Sequence, residues 1–206
     1  MTDSDGMENL PSYPGDYELK TDRLELRAIR DIDAHELWPL VSDRRLTAFL
    51  AWDAHQSIDE TKEMVCALVA TQIAGTGFHW VARHAGRIVG LISLIDIRRR
   101  HRRWTLNRAE LAYWIGLPFH GKGFATEAAA AVADFGFCQL NLHKLRVFHA
   151  TDNLASRRTI EKLRFRLVGE ERDAFQKDGI WHNLRHFEML VSERPQTGVS
   201  STRAFK

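Results

Sequence analysis

From Tyr17 to Ile29 the segment "YELKTDRLELRAI" alternates apolar and polar residues, with Leu24, Leu26 and Ala28 in step, the period of a half-buried strand. Asp31 and Asp33 then stand where they can cap a short helix carrying Leu37, Leu40 and Val41. Ser57 to Glu60 has capping-box spacing, and Met64, Val65, Leu68, Val69 and Ile73 follow on one helical face until Gly75. "GFHWVARHAGRIVGLISLIDI" returns to strand character on both sides of His84-Ala85-Gly86-Arg87, which predicts a hairpin. "RAELAYWIG" predicts another strand and "ATEAAAAVADFGF" a helix; "KLRVFHA" and "DNLASRRTIEKLRF" add a strand and a helix. Two last strands flank Lys177-Asp178-Gly179. Such an order predicts one α+β domain around a mixed sheet, spanning residues 16–192. Residues 1–15 and 193–206 are polar and punctuated by Pro and Gly, and read as mobile ends.

Composition changes this picture little. The 206 residues suffice for one well-buried domain, and a net charge of +2 selects no class of partner by itself. No apolar run approaches the roughly 18 residues of a membrane span, and the polar start "MTDSDGMENL" is unlike a signal peptide. Cys66 and Cys138 lie far apart without metal-ligand spacing, so they read as buried thiols of a reducing cytoplasm, with no metal site.

The chemistry concentrates in "YWIGLPFHGKGFATEA". Gly116 to Gly123 has Walker A spacing, but Gly123 stands where Ser or Thr must hold Mg²⁺. Gly121 to Thr126 resembles a dinucleotide fingerprint with Thr126 in place of its third glycine. Common to both is the physics of an anion cradle: glycines at 121 and 123 let backbone approach closely, N–H groups at a helix start point at the anion, and Lys122 adds charge. The alternative is a Gly-rich strand-to-helix turn with no ligand.

The same stretch resembles the acyl-coenzyme A loop of the GNAT superfamily of N-acetyltransferases, with pattern Gln/Arg-x-x-Gly-x-Gly/Ala. It is matched by His120-Gly121-Lys122-Gly123-Phe124-Ala125, His120 departing at the first position. "LKTDRLELRAI" resembles the family's first strand. "AELAYWIG", "DNLASRRTIEKLRF" and "KDGIWHNLRHFEML" resemble segments of its Rim-type branch, which acetylates ribosomal-protein N-termini. Arg164 replaces a usual Gly there, and Asn183 a common Asp. The resemblance covers Tyr17 to Val191. It implies a mostly antiparallel sheet of about six or seven strands with about four helices.

It also implies acetyl-CoA as cosubstrate and a primary amine as acceptor, attacking directly in a ternary complex. Main-chain groups of Gly121, Lys122, Gly123, Phe124, Ala125 and Thr126 would hold the pyrophosphate, beside His120, and Ile115 at a splayed strand end the pantetheine arm. Asn153 and Ser156 lie three apart at a helix start; the resemblance implies pantetheine contact for Asn153 and a hydrogen bond from Ser156 to the leaving sulfur. Taken alone, they are a cap and a first-turn residue. Glu110 is the candidate base, or else a structural partner of nearby arginines. His79 and Trp80 either line the acceptor mouth or pack as core aromatics, Tyr113 reads as packing, and Phe175 occupies the place of a base some relatives carry. Cys138 has no neighbouring His to make it a nucleophile. The acceptor is a protein N-terminus or a small amine such as an antibiotic or aminoacyl conjugate; a CoA-sensing or ribosome-associated binding module is the non-catalytic alternative. Arg98 to Arg103 is a solvated loop or a contact for an acidic protein or RNA surface such as the ribosome; with no aromatic interleaved before Trp104, the run does not predict dedicated nucleic-acid readout. Oligomeric state is left open.

Overall fold

The computed structural model describes residues 17–195; of the ends expected to be mobile, 1–15 and 193–206, all but residues 193–195 lie outside the described residues, and there Glu193 pairs with Arg166 and Arg194 with Asp134. Eight strands form one sheet, in order β1-β2-β3-β4-β5-β6-β8-β7. They are β1 (Leu19–Lys20), β2 (Glu25–Ala28), β3 (Phe78–His84), β4 (Arg87–His101), β5 (Trp104–Ile115), β6 (Lys144–Ala150), β7 (Arg166–Lys177) and β8 (Ile180–Leu190). Among the described residues five helices accompany them: α1 (Ala34–Val41), α2 (Arg44–Thr47), α3 (Ile58–Ile73), α4 (Phe124–Cys138) and α5 (Leu154–Lys162). The counts exceed expectation slightly for local reasons. A turn in which Thr21 N–H donates to Leu24 O divides the first strand in two, and α2 is a single four-residue turn.

All neighbouring strands pair antiparallel except β5 and β6, which run parallel. The parallel step needs a crossover, and α4 supplies it. Side chains alternate across the sheet, so each strand feeds two cores. Trp80, Leu94, Leu111, Leu145 and Phe187 pack with α4 and α5 on one face. Val81, Leu91 and Trp114 pack with α1 and α3 on the other. Helices α1 and α3 pack against β4 and β3, and beyond them Phe148 of β6 is exposed.

Several expectations are refined. Asp33 is buried, and instead of capping α1 through its side chain it accepts both guanidinium nitrogens of Arg27 at 2.6 and 2.8 Å, and Arg30 N–H. His79 and Trp80 are core residues, at 2% and 0% exposure, so the reading that they line an acceptor mouth is set aside. His79 bridges Thr71 and Ser93 through its two ring nitrogens, and burial lowers its pKa to about 4, so it stays neutral. The expectation of buried thiols fails: Cys66 and Cys138 are both exposed, Cys66 one position past the Val65 stripe and Cys138 in the last turn of α4. Arg164 has φ +64°, the left-handed position after α5, which explains why glycine is usual there.

Candidate active site

Strand β5 ends where Gly116 N–H donates to Val89 O at 2.8 Å. A 3-10 turn, Leu117–Phe119, contains Pro118 and delivers the chain to His120. Its ring turns back, Nε2 donating to Ile115 O at 2.6 Å, and staples the turn to the strand it left. Gly121 and Gly123 then take φ of +75° and +81°, a region where a Cβ is costly. Gly123 is the N-cap of α4, and no side chain caps that end. The first-turn N–H groups of Phe124, Ala125 and Thr126 therefore have neither an intrahelical acceptor nor a side-chain cap, at the positive end of a 15-residue helix. Lys122 Nζ lies 5.5 Å from the Phe119 ring centroid, and the Arg87 guanidinium 5.9 Å from it.

A clamp that sequence reading missed holds this turn from behind. Arg23 Nη1 donates to Lys122 O at 2.9 Å, and its guanidinium lies 4.9 Å from the Phe124 ring centroid. Glu127 accepts Thr21 Oγ1, the Arg23 N–H at 2.9 Å and Arg23 Nε at 2.7 Å. Burial pushes the Glu127 carboxyl up, but the bonds from Thr21 and Arg23 outweigh it and leave it below the usual range. Arg23 and Glu127 are 104 residues apart, and no local pattern pairs them.

Beside the turn the sheet forks. β5 and β6 pair only at Arg108–Lys144, Ala109–Leu145 and Glu110–Arg146, and the register ends there. Because Gly116 donates toward β4, antiparallel alternation turns the N–H and C=O of Ile115 and Tyr113 away from β4, into the fork. Of these the Ile115 carbonyl is engaged by His120.

The pleat puts different chemistry on the two sides of the fork. On the α4–α5 side Tyr113 reaches across to α5, its hydroxyl 3.0 Å from Ser156 Oγ. Burial drives the Tyr113 pKa up to about 12, so it remains protonated. Asn153 Oδ1 accepts Ser156 N–H at 3.0 Å, which makes Asn153 the N-cap of α5 and fixes Ser156. Tyr113, expected as packing, thus spans the fork to the predicted sulfur donor.

Glu110 belongs to the opposite parity, with Trp114, on the α1–α3 side. Burial raises its pKa, the charge of Arg146 opposes that, Asp96 adds to it, and His186 lowers it. Arg146 is drawn aside by Asp96 at 3.2 Å, and His186 Nε2 lies 3.0 Å from Glu171. Glu110 is therefore a half-buried carboxyl at the crotch of the fork, its nearest cation shared with another acid.

On this side opens a cavity of about 940 Å³, between the loop after α2 and the β7–β8 hairpin. It is lined by Arg44, Trp52, Asp53, His55, Lys177 and His182 among others. Lys177 Nζ donates to Leu50 O and Trp52 O, both at 2.8 Å, tying the loop to the hairpin. Trp52 meets Trp114 edge-on at 6.2 Å, which joins the cavity wall to β5. Phe175 stacks at 5.0 Å on His182, which lines the cavity.

Residues 23–166 match the family model described as "Acetyltransferase (GNAT) domain". The chain belongs to the GNAT acetyltransferase family. As a GNAT N-acetyltransferase it takes its acetyl group from acetyl-CoA. It is 31% identical over 175 residues to the uncharacterized N-acetyltransferase YoaA of Bacillus subtilis, covering 84% of this chain and 96% of YoaA. Among solved structures it resembles RimL, a ribosomal L7/L12 alpha-N-protein acetyltransferase in complex with coenzyme A. There the TM-score is 0.77 at 20% identity, over 84% of this chain and 98% of RimL, a likeness of fold. The spermidine N-acetyltransferase of Vibrio cholerae, in complex with CoA and spermine, gives a TM-score of 0.73 at 25% identity, over 84% of this chain and 98% of that one. Among the described residues, no helix of this GNAT enzyme is long and apolar enough to cross a membrane.

Proposed function

We propose that this enzyme acetylates the α-amino group of a protein N-terminus in the cytoplasm, by direct attack of the amine within a ternary complex. The observation that carries this reading is the charge balance of the 940 Å³ cavity. Arg44 and Lys177 stand against Asp53, Glu60 and Asp178, so the wall carries a single net negative charge, too little to match a polyamine with several ammonium groups. One ammonium on a peptide chain matches that single charge, and the open mouth admits the chain behind it.

Each candidate residue has a task in this scheme. The N–H groups of residues 121–126 and the Lys122 ammonium hold the pyrophosphate, with His120 keeping the turn folded against Ile115. The main-chain groups of Tyr113 and Ile115 that β6 leaves unpaired orient the pantetheine arm, beside Asn153. Glu110 takes the amine proton from the cavity side, its burial keeping it basic enough for the task. Ser156, polarised by the protonated Tyr113, donates to the sulfur from the other side. Two faces of one fork thus separate base from acid, which keeps them from neutralising each other.

The test is acetyl transfer to short peptides of varied N-terminal residue, followed by mass spectrometry, with spermidine and aminoglycosides as competing acceptors. Turnover on peptides at least tenfold above the small amines is expected. Efficient turnover of spermidine with none on peptides refutes the acceptor assignment.

A further inference from the structure

The paired strands β4 and β5 outrun their neighbours. β3 leaves β4 at the pair Phe78–Leu94, and β6 joins β5 only at Arg108–Lys144. Residues 95–107 therefore form a two-stranded arm with no third strand on either edge among the described residues. Register shifts between Ile95 and Arg98 and between Arg98 and Arg100 coil it, with Asp96 and Asn107 in left-handed conformations.

Its charge is out of proportion to the chain. Residues 95–108 hold six arginines and one aspartate, in a protein whose total is +2. That aspartate, Asp96, already pairs with Arg98 at 2.6 Å and with Arg146 at 3.2 Å. Arg99 bonds the Asn107 side chain on the facing strand. Arg98 sits directly across the ladder from Arg108, a like-charge pair that opposes folding, and Arg108 Nε is buried without a hydrogen-bond partner. At the tip, Trp104 is 71% exposed and its ring lies 6.2 Å from that of His101, while Arg102 and Arg103 are exposed beside it.

We propose that this arm docks single-stranded RNA, its arginines on successive phosphates and an unstacked base on Trp104. Guanidinium groups along a narrow ribbon match a repeating phosphate charge, and an exposed indole supplies the stacking platform. Arginines beside an exposed indole match the alternation of phosphate and base along a single strand. Loops and single strands of RNA present unstacked bases in the way this tip requires. The arm's root is the pair Ile95–Glu110, so a bound RNA–protein particle would lie beside the fork. The inference stands on the arm's own charge and shape, and survives if the acceptor proposed above is wrong.

Fluorescence anisotropy of a labelled unstructured RNA of about 15 nucleotides, with the full chain, tests it. Micromolar binding at 50 mM salt is expected, with log K falling against log salt at a slope of about −3, as for four phosphates. Arg102→Glu with Arg103→Glu should weaken binding at least tenfold and flatten that slope. Trp104→Ala should weaken it about five- to fiftyfold with the slope unchanged, as loss of one stacked base does. Peptide acetylation and the thermal midpoint report that both variants are folded, and should match the parent. The proposal is overturned by no binding at 50 mM salt, by equal affinity in these variants, or by equal or tighter binding of polyglutamate or of DNA of the same sequence.

Discussion

The sharpest test of the cradle is to add one methyl group at each of its two glycines. At Gly121, φ +75°, a Cβ would meet nothing within 4 Å, so Gly121→Ala reports backbone strain alone. At Gly123, φ +81°, the Cβ would lie 3.3 Å from Arg23 Nη2, so Gly123→Ala adds a push on the clamp. Holding alanine in the left-handed region costs about 1–2 kcal/mol. For a domain of this size each kcal/mol lowers the melting midpoint by about 2–4 °C. Both variants should therefore melt about 2–8 °C lower, with Gly123→Ala the worse of the two. The contact itself is cheap to relieve, because a guanidinium end moves easily, but moving it loosens the 2.9 Å bond to Lys122 O. The larger effect belongs to the ligand. If phosphates approach these main-chain N–H groups closely, a methyl beside them costs the binding of coenzyme A about tenfold or more, equivalent to 1.4 kcal/mol. Calorimetric titration with coenzyme A measures this, and differential scanning fluorimetry measures the strain. Both variants binding coenzyme A within twofold of the parent, despite a lower melting point, would refute the assignment of this turn as the cradle.

Three further outcomes follow from the same geometry. Glu110→Gln should lower kcat on peptide acceptors about 10²-fold or more and remove the acid limb of its pH profile, a limb that lies above the ordinary carboxylate value because burial raises this pKa. The sign for stability is opposite to that for activity. The folded protein binds the Glu110 proton more tightly than the unfolded chain, so stability falls as pH rises through that window, and Glu110→Gln should be slightly the more stable at pH 7; a lower midpoint there contradicts the burial argument. Lys177→Met removes the bonds to Leu50 O and Trp52 O and should raise KM for the peptide several-fold while leaving coenzyme A affinity unchanged; equal losses in both would mean that the loop serves the whole fold. Arg164→Gly relieves φ +64° and should stabilise by about 0.5–1 kcal/mol, less than the full strain because glycine also gains freedom when unfolded; chemical denaturation reads it.

Local patterning foretold most of the elements because their causes are local. The capping spacing at Ser57 and the stripe through Val65 place α3, and Ser57 does accept Glu60 N–H. Two glycines before an alanine-rich run imply a left-handed turn into a helix, and both glycines have positive φ. The departures have equally local reasons. The strand at Tyr17–Ile29 is interrupted because Thr21 closes a turn with Leu24 through both main chain and side chain, which alternation alone does not signal.

What the tertiary structure decided is everything that depends on residues distant in sequence meeting. Alternation along one strand already puts Glu110 and Tyr113 on opposite faces, but only the fold decides that one face meets α5 and the other the α1–α3 side. His120 stood out in the sequence as an off-pattern residue; in the fold it reaches only five positions back, to a carbonyl that alternation had already turned toward it. Arg23 and Glu127 carried no signal at all, since an ion pair across 104 residues has no period. The run Arg98 to Arg103 was visible as charge, and its standing as an unsupported arm follows from where β3 and β6 stop pairing. Short-range sterics and hydrophobic period are written residue by residue along the chain. The meeting of distant groups is set by the register of a sheet, and that exists only once the chain has folded.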